Sequence, residues 1–241
     1  MISEKMHSTS RRSLIKWGIY GVGGIAIGAM PQAIYAQSNS RGKMLAFNAN
    51  DIGILNFALL LEELESAFYA AVVSSGKITN SRELEYMKYL GAQETAHVKF
   101  LRSVLANQVL FTTEDLSFNS SSLNDILANR DRILNAAVTL EDLGVHAYNG
   151  AGTSLTSPIF LLAAGSIVSV EARHAAGVRA LLNRPTTEPD RDRLISDANL
   201  NSTLNPFKGK AYDELYTPKQ IVAIVNSLNI LNNPIGGTLV S

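Results

Sequence analysis

The chain has 241 residues, 46% of them hydrophobic, with 21 basic and 21 acidic side chains and no cysteine. That length and apolar share suit one domain with a sizeable core, and no basic patch alternates with aromatics in the manner that tracks nucleic acid. Without cysteine, disulfides, thiolate chemistry and iron–sulfur clusters are excluded, so any metal site must use oxygen and imidazole nitrogen.

The first 36 residues read as a targeting segment. Ser10 to Lys16, SRRSLIK, matches the twin-arginine export signal; an apolar stretch follows from Trp17 to Met30, and Ala33 to Ala36 offers a small-residue cleavage site. An uncleaved N-terminal anchor is the other reading of this stretch. Cleavage after Ala36 implies export in the folded state to a periplasmic or extracellular location, and a mature chain with no stable membrane span. That mature chain carries 17 basic and 20 acidic residues. Residues 37–50 form a lead-in.

Helical signals begin at Asp51, a candidate N-cap, and run to Ser74, where Ser75-Gly76 ends the first helix. Asn80 or Ser81 caps a second helix reaching Asn107, and the short connection makes the two an antiparallel hairpin. Val109 to Ser122 has no helical period and is rich in Ser and Thr, as a long crossover between hairpins would be. The third helix is expected over Leu123 to Asn149. Pro158 opens the fourth, which runs to Asn183. Residues 184–216 read as irregular. Thr217-Pro218 opens a short last helix to Leu228, whose Ile221, Ile224, Val225 and Leu228 form an apolar stripe suited to packing on the bundle, and the last ten residues lack a pattern. The fold class is therefore all-α: a four-helix bundle over residues 51–183 with one long crossover, then an extension, 184–241, with one short helix.

A duplicated pattern lies on these helices. Glu62 and Tyr69 stand in LEELESAFY, and Glu94 and His97 in GAQETAHVKFL; then Glu141 and Tyr148 stand in LEDLGVHAY, and Glu171 and His174 in SVEARHAAGV. The two Glu-x6-Tyr copies are 79 residues apart and the two Glu-x2-His copies 77 apart. Three residues turn a helix by about 300° and seven by nearly two full turns, so each pair shares one face. Met87, Leu90, Glu94, His97, Leu101 and Val104 follow bundle-core steps, as do Ala164, Ile167, Glu171, His174, Val178 and Leu181. The polar groups thus sit inside an apolar seam.

Four carboxylates facing one core must be neutralised, because burying even one isolated carboxylate costs several kcal/mol or forces protonation. Two divalent cations held by Glu62, Glu94, His97, Glu141, Glu171 and His174 meet that need. The plain alternative is a set of buried polar residues that only hydrogen-bond one another, or an empty site kept by descent. Glu65 lies one turn beyond Glu62 and also faces the seam, but Gly144 stands where Glu65 stands in the second copy, while Glu141 matches Glu62; Glu62 is therefore the ligand. His146 is turned about 140° from the ligand face and reads as a surface or interface histidine.

ILNFALLLEELESAFY and GAQETAHVKFL resemble the ferritin-like di-metal carboxylate superfamily, and more narrowly the exported bacterial ferritin-like proteins related to plant desiccation-related proteins. The resemblance covers residues 51–183. It implies a ferritin-like four-helix bundle with a metal pair bridged by glutamates, as in bundles that take one Glu from each of two helices and Glu-x-x-His from the other two. Two transition-metal ions are implied, iron first and manganese as the alternative, because both accept carboxylate and imidazole. It further implies that Tyr69 and Tyr148 hydrogen-bond the glutamate of the opposite half; Glu65, which has no counterpart in the second copy, reads as a group behind the ligands. It does not fix the reaction. An oxidase-like or manganese-catalase-like activity with dioxygen or peroxide is one reading. A non-enzymatic stress or desiccation-related protein, with structural metal or none, is the contrasting one. Neither specifies an oligomer.

Overall fold

Asparagine side chains set where the first four helices start. The computed structural model describes residues 41–186 and 213–241; the export segment expected at 1–36 and much of the irregular stretch lie outside the described residues. Helix α1 spans Asp51–Ser75, α2 Ser81–Leu105, α3 Ser120–Ile126, α4 Arg130–Ala151, α5 Pro158–Leu181 and α6 Pro218–Leu228, with two-residue strands β1 (Leu45–Ala46) and β2 (Ile235–Gly236). Asn50, Asn80, Asn119 and Asn129 each accept hydrogen bonds from the backbone N–H groups of α1, α2, α3 and α4 that no helical carbonyl can reach. Gly76, at φ 65°, closes α1 in the left-handed region. Thr217 and Gln220 form a reciprocal capping box ahead of α6.

Three local expectations are corrected. Asp51 does not cap its own helix; Asn50 does, and the Asp51 carboxylate instead accepts from the backbone N–H groups of Thr156 and Ser157, both at 2.9 Å, where α5 begins. One carboxylate thus ties the starts of α1 and α5 together and favours the positive end of the α5 dipole. The expected third helix is two helices, because Asn129 turns to cap α4 and interrupts the run from Leu123. The final residues are patterned after all: β2 pairs in parallel with β1, Leu45 opposite Ile235. Asn233 beside them is 4% exposed; it accepts from Ser117 N–H at 2.7 Å and donates to the carbonyls of Lys43 at 2.7 Å and Asp115 at 2.9 Å.

Helices α1 and α2 form one hairpin, α4 and α5 the other, and α1 packs on α4. Leu55, Leu59, Leu101 and Leu105 fill the core toward one end, with Ile221 and Ile224 of α6 in the same cluster. Phe68, Val72, Met87, Leu90, Ile133 and Val178 fill it toward the other. Each such side chain, fully buried, is worth about 1.5–3 kcal/mol, which is what holds the polar midsection between them in place. By length and composition α5 would also suffice to cross a membrane, yet it carries Glu171 and His174 into this core.

His146 is the fourth correction. It is buried, with its ring 4.4 Å from that of Tyr216 in the C-terminal extension. The side of α4 turned away from the seam is covered by a segment far along the chain.

Candidate metal centre

The seam converges at mid-bundle. Glu62 on α1, Glu94 and His97 on α2, and Glu171 on α5 form one group of donor atoms within 4.8 Å of one another. Glu94, Glu141 on α4, Glu171 and His174 form a second. Glu94 and Glu171 belong to both, so the two groups share their carboxylate pair. All six residues read from the spacing are therefore brought together, and Glu65 lies outside both groups.

Both imidazoles turn Nδ1 toward the carboxylates. His97 Nδ1 lies 3.1 Å from Glu62, 3.1 Å from Glu94 and 3.0 Å from Glu171. His174 Nδ1 lies 2.8 Å from Glu94, 3.2 Å from Glu141 and 3.6 Å from Glu171. One Nδ1–H serves few acceptors at a time, and four ionised carboxylates present eight oxygens. Tyr148 donates its hydroxyl to Glu62, and Tyr69 donates to Glu141. Glu94 Oε1 and both oxygens of Glu171 are buried and, although 2.8–3.6 Å from an imidazole Nδ1, none meets it in hydrogen-bonding geometry. Orphaned carboxylate oxygens between two imidazole nitrogens fit cations, since a buried acceptor without a donor costs about 1–3 kcal/mol and more when charged. Oxygen and nitrogen donors of this kind suit iron, manganese and related divalent ions.

The metal-free cluster relieves its charge with protons. Burial lowers the His97 and His174 pKa values, but the surrounding carboxylates outweigh it: both are raised, that of His174 to about 12. Burial, followed by the facing Glu141, pushes Glu94 up to about 7, and burial together with Glu171 pushes Glu141 up to about 7. Burial also acts to raise Glu62, yet the charge and hydrogen bonds of His97 hold it below the ordinary carboxylate value. Burial, then Glu171, Glu94 and Glu141, drives Glu65 far up, so it keeps its proton. Burial and the carboxylate each one faces keep the Tyr69 and Tyr148 phenols protonated.

Glu65 sits against the backbone of α4 at Gly144. A Cβ there would come 3.3 Å from Glu65 Oε1 and 3.6 Å from Glu171 Oε2, so glycine leaves the room that Glu65 occupies. Tyr148 and Leu61 also line a mostly apolar cavity of about 30 Å³, together with Tyr216 and Ile221 of the C-terminal extension.

Several working residues escape a reading built only on the Glu, His and Tyr positions. Arg102 donates to Glu63 through Nε at 3.0 Å and Nη2 at 2.5 Å, and Thr113 of the crossover adds a third bond to the same oxygen at 3.0 Å. Arg179 donates to Asp142. The signal is present in the sequence: each acid directly follows a seam glutamate, and each arginine stands five residues after a seam histidine. Gln93 Oε1 accepts from His174 Nε2 at 2.5 Å, and Gln93 Nε2 donates to the Tyr89 hydroxyl at 2.5 Å. No copy of Gln93 exists in the second half, so the repeat gives no signal for it.

Comparison with known families matches residues 50–184, more than half of the chain, to the ferritin-like domain. No curated protein matches the chain.

Proposed function

The chain belongs to the ferritin-like domain family, and on that premise we propose that it is an exported di-metal carboxylate protein with oxidase- or peroxide-type redox chemistry, iron being preferred and manganese the alternative. The observation that carries the reading is the set of orphaned Glu94 and Glu171 oxygens shared by two donor groups, each with its own imidazole. Two redox-active metal ions held there supply a two-electron exchange with dioxygen or peroxide.

The residues divide the work. Glu94 and Glu171 belong to both donor groups and would be shared by the two ions. Glu62 with His97, and Glu141 with His174, complete one position each. Tyr148 and Tyr69 orient Glu62 and Glu141 from the opposite half. Complete burial of Glu94, Glu141 and Glu171 keeps bulk water from the shared carboxylates. Export rests on SRRSLIK and the apolar stretch after it.

Anaerobic loading with Fe(II), followed by oxygen or peroxide, tests the reading. The loaded protein is expected to oxidise its iron faster than free iron does, because two ions held side by side meet one oxidant together. Glu62→Ala or Glu141→Ala should slow that reaction strongly. Manganese-loaded protein assayed for oxygen release from peroxide separates the catalase-like chemistry. A bound pair that neither oxidises nor consumes peroxide above a metal-free control overturns the redox assignment in favour of a structural role.

A further inference from the structure

The repeat matches at the seam and at the acid–arginine pairs beside it, and breaks at Glu65 and at Gln93 with its partner Tyr89. Glu62, Glu63, Tyr69, Glu94, His97 and Arg102 have their counterparts in Glu141, Asp142, Tyr148, Glu171, His174 and Arg179. Glu65 and Gln93 do not: Gly144 and Val170 stand at their matching positions, and Ser166 stands where Tyr89 would recur. Both departures come from the first hairpin and both reach into the second. Glu65 occupies the space beside Gly144 and Glu171. Gln93 takes the outer nitrogen of His174.

The histidines differ accordingly. His174 has Nε2 bonded to Gln93, Gln93 is held in turn by Tyr89, and its side chain is 3% exposed. His97 is 13% exposed, and among the described residues none bonds its Nε2. An outer hydrogen bond of this kind fixes the tautomer that offers Nδ1 inward, holds the ring in the ligating orientation and raises its basicity, typically worth about 10–100-fold in metal affinity. Glu65 adds a further carboxyl beside Gly144 and the shared Glu171.

We infer that the two metal positions are inequivalent: the position made by Glu94, Glu141, Glu171 and His174 binds a divalent transition-metal ion first and tightly, and the position made by Glu62, Glu94, His97 and Glu171 binds second and exchanges. Gln93 is the positioning residue that sets the order. The inference rests on the two-metal reading above and adds sequence and selectivity to it. A tight first position with an exchangeable second one also allows the two to hold different ions.

Calorimetric titration of the metal-free full chain with Co(II), which is stable in air, tests this without any assay of activity. Two binding steps are expected, separated by at least tenfold in affinity. His174→Ala should abolish the tight step, and His97→Ala the weak one. Gln93→Leu should weaken the tight step by about 10–100-fold while leaving the weak one unchanged, so that the two merge. Gln93→Glu keeps an acceptor for the Nε2–H and should restore two separate steps, which a merely structural loss could not. Tyr89→Phe removes only the exposed hydroxyl behind Gln93, so it keeps the fold and should shift the tight step the same way by a smaller factor. Two indistinguishable steps in the unaltered protein, or a Gln93→Leu change that touches both steps equally, overturns the inference and leaves the two-metal reading standing. Absence of any binding overturns both.

Discussion

The hydroxyl of Tyr148 donates to Glu62 across 86 residues of sequence, and that of Tyr69 donates to Glu141 across 72, so each half of the repeat holds a carboxylate of the other. These crossed bonds link α1 to α4, one of the contacts that join the two hairpins. Tyr148→Phe keeps the ring and removes one donor from a fully buried carboxylate. The metal-free protein should lose about 1–3 kcal/mol of stability, read from denaturant unfolding. Tyr69→Phe should cost a similar amount. The double variant should depart from additivity, since both bonds feed one coupled cluster. A change within about 0.5 kcal/mol, as for an ordinary surface position, would count against the crossed bonds.

The Arg179–Asp142 pair is another test of the repeated architecture. Arg179 is 5% exposed. Arg179→Met removes a charged hydrogen-bond partner of Asp142 and should destabilise by about 1–3 kcal/mol. Arg179→Met with Asp142→Leu removes both charges together and should recover most of that loss. If the single and double variants unfold at the same denaturant concentration, the pair does not carry the packing assigned to it.

The helices and the six converging donors were legible because bundle periodicity is local: a ligand three or seven residues from its partner shares its face whatever the rest of the chain does. What the spacing missed depends on distant segments. His146 is turned from the seam, as its position predicts, but only the fold reveals that Tyr216 covers it. Asp51 has the chemistry of a cap and instead holds the backbone just ahead of a helix 105 residues away. Asn129 breaks a run of apolar residues that keeps helical spacing on both sides of it. Strands of two residues have no period to read. The acid–arginine pairs were within reach, since their offsets repeat with the glutamates and histidines.

The proposed export gives a prediction independent of the bundle. Arg11 and Arg12 are the paired arginines of SRRSLIK. Changing both to lysine keeps the charge and removes the recognised pair, so the precursor should accumulate inside the cell in folded form. Fractionation with an antibody to the protein gives the answer. Undiminished protein outside the cytoplasm would exclude the twin-arginine route.

The cluster's protons set how metal-free stability, and the gain from metal, each depend on pH. In the metal-free protein Glu94 and Glu141 titrate near 7, against the 4.5 of a free glutamate, and His174 near 12, against 6.5. Between pH 4.5 and 12 the folded state therefore binds more protons than the unfolded chain at these groups. Stability must then fall as pH rises through that window. The carboxyl share is lost between 4.5 and 7; the imidazole share is fully present below 6.5 and is lost toward 12. Glu62, whose carboxyl is held low, acts in the opposite sense, and its contribution is lost only as pH falls below the ordinary carboxylate range. The metal-free protein should accordingly melt at a higher temperature at pH 5 than at pH 8. Metal ions compete with these same protons, so the rise in melting temperature on loading should be small at pH 5 and large at pH 8. Glu94→Ala with Glu171→Ala removes the shared carboxylates and should abolish the metal-dependent rise, and elemental analysis should then find neither of the two ions expected in the unaltered protein. A metal-free protein that is more stable at pH 8 than at pH 5 would show that protons do not take the place of metal in this core.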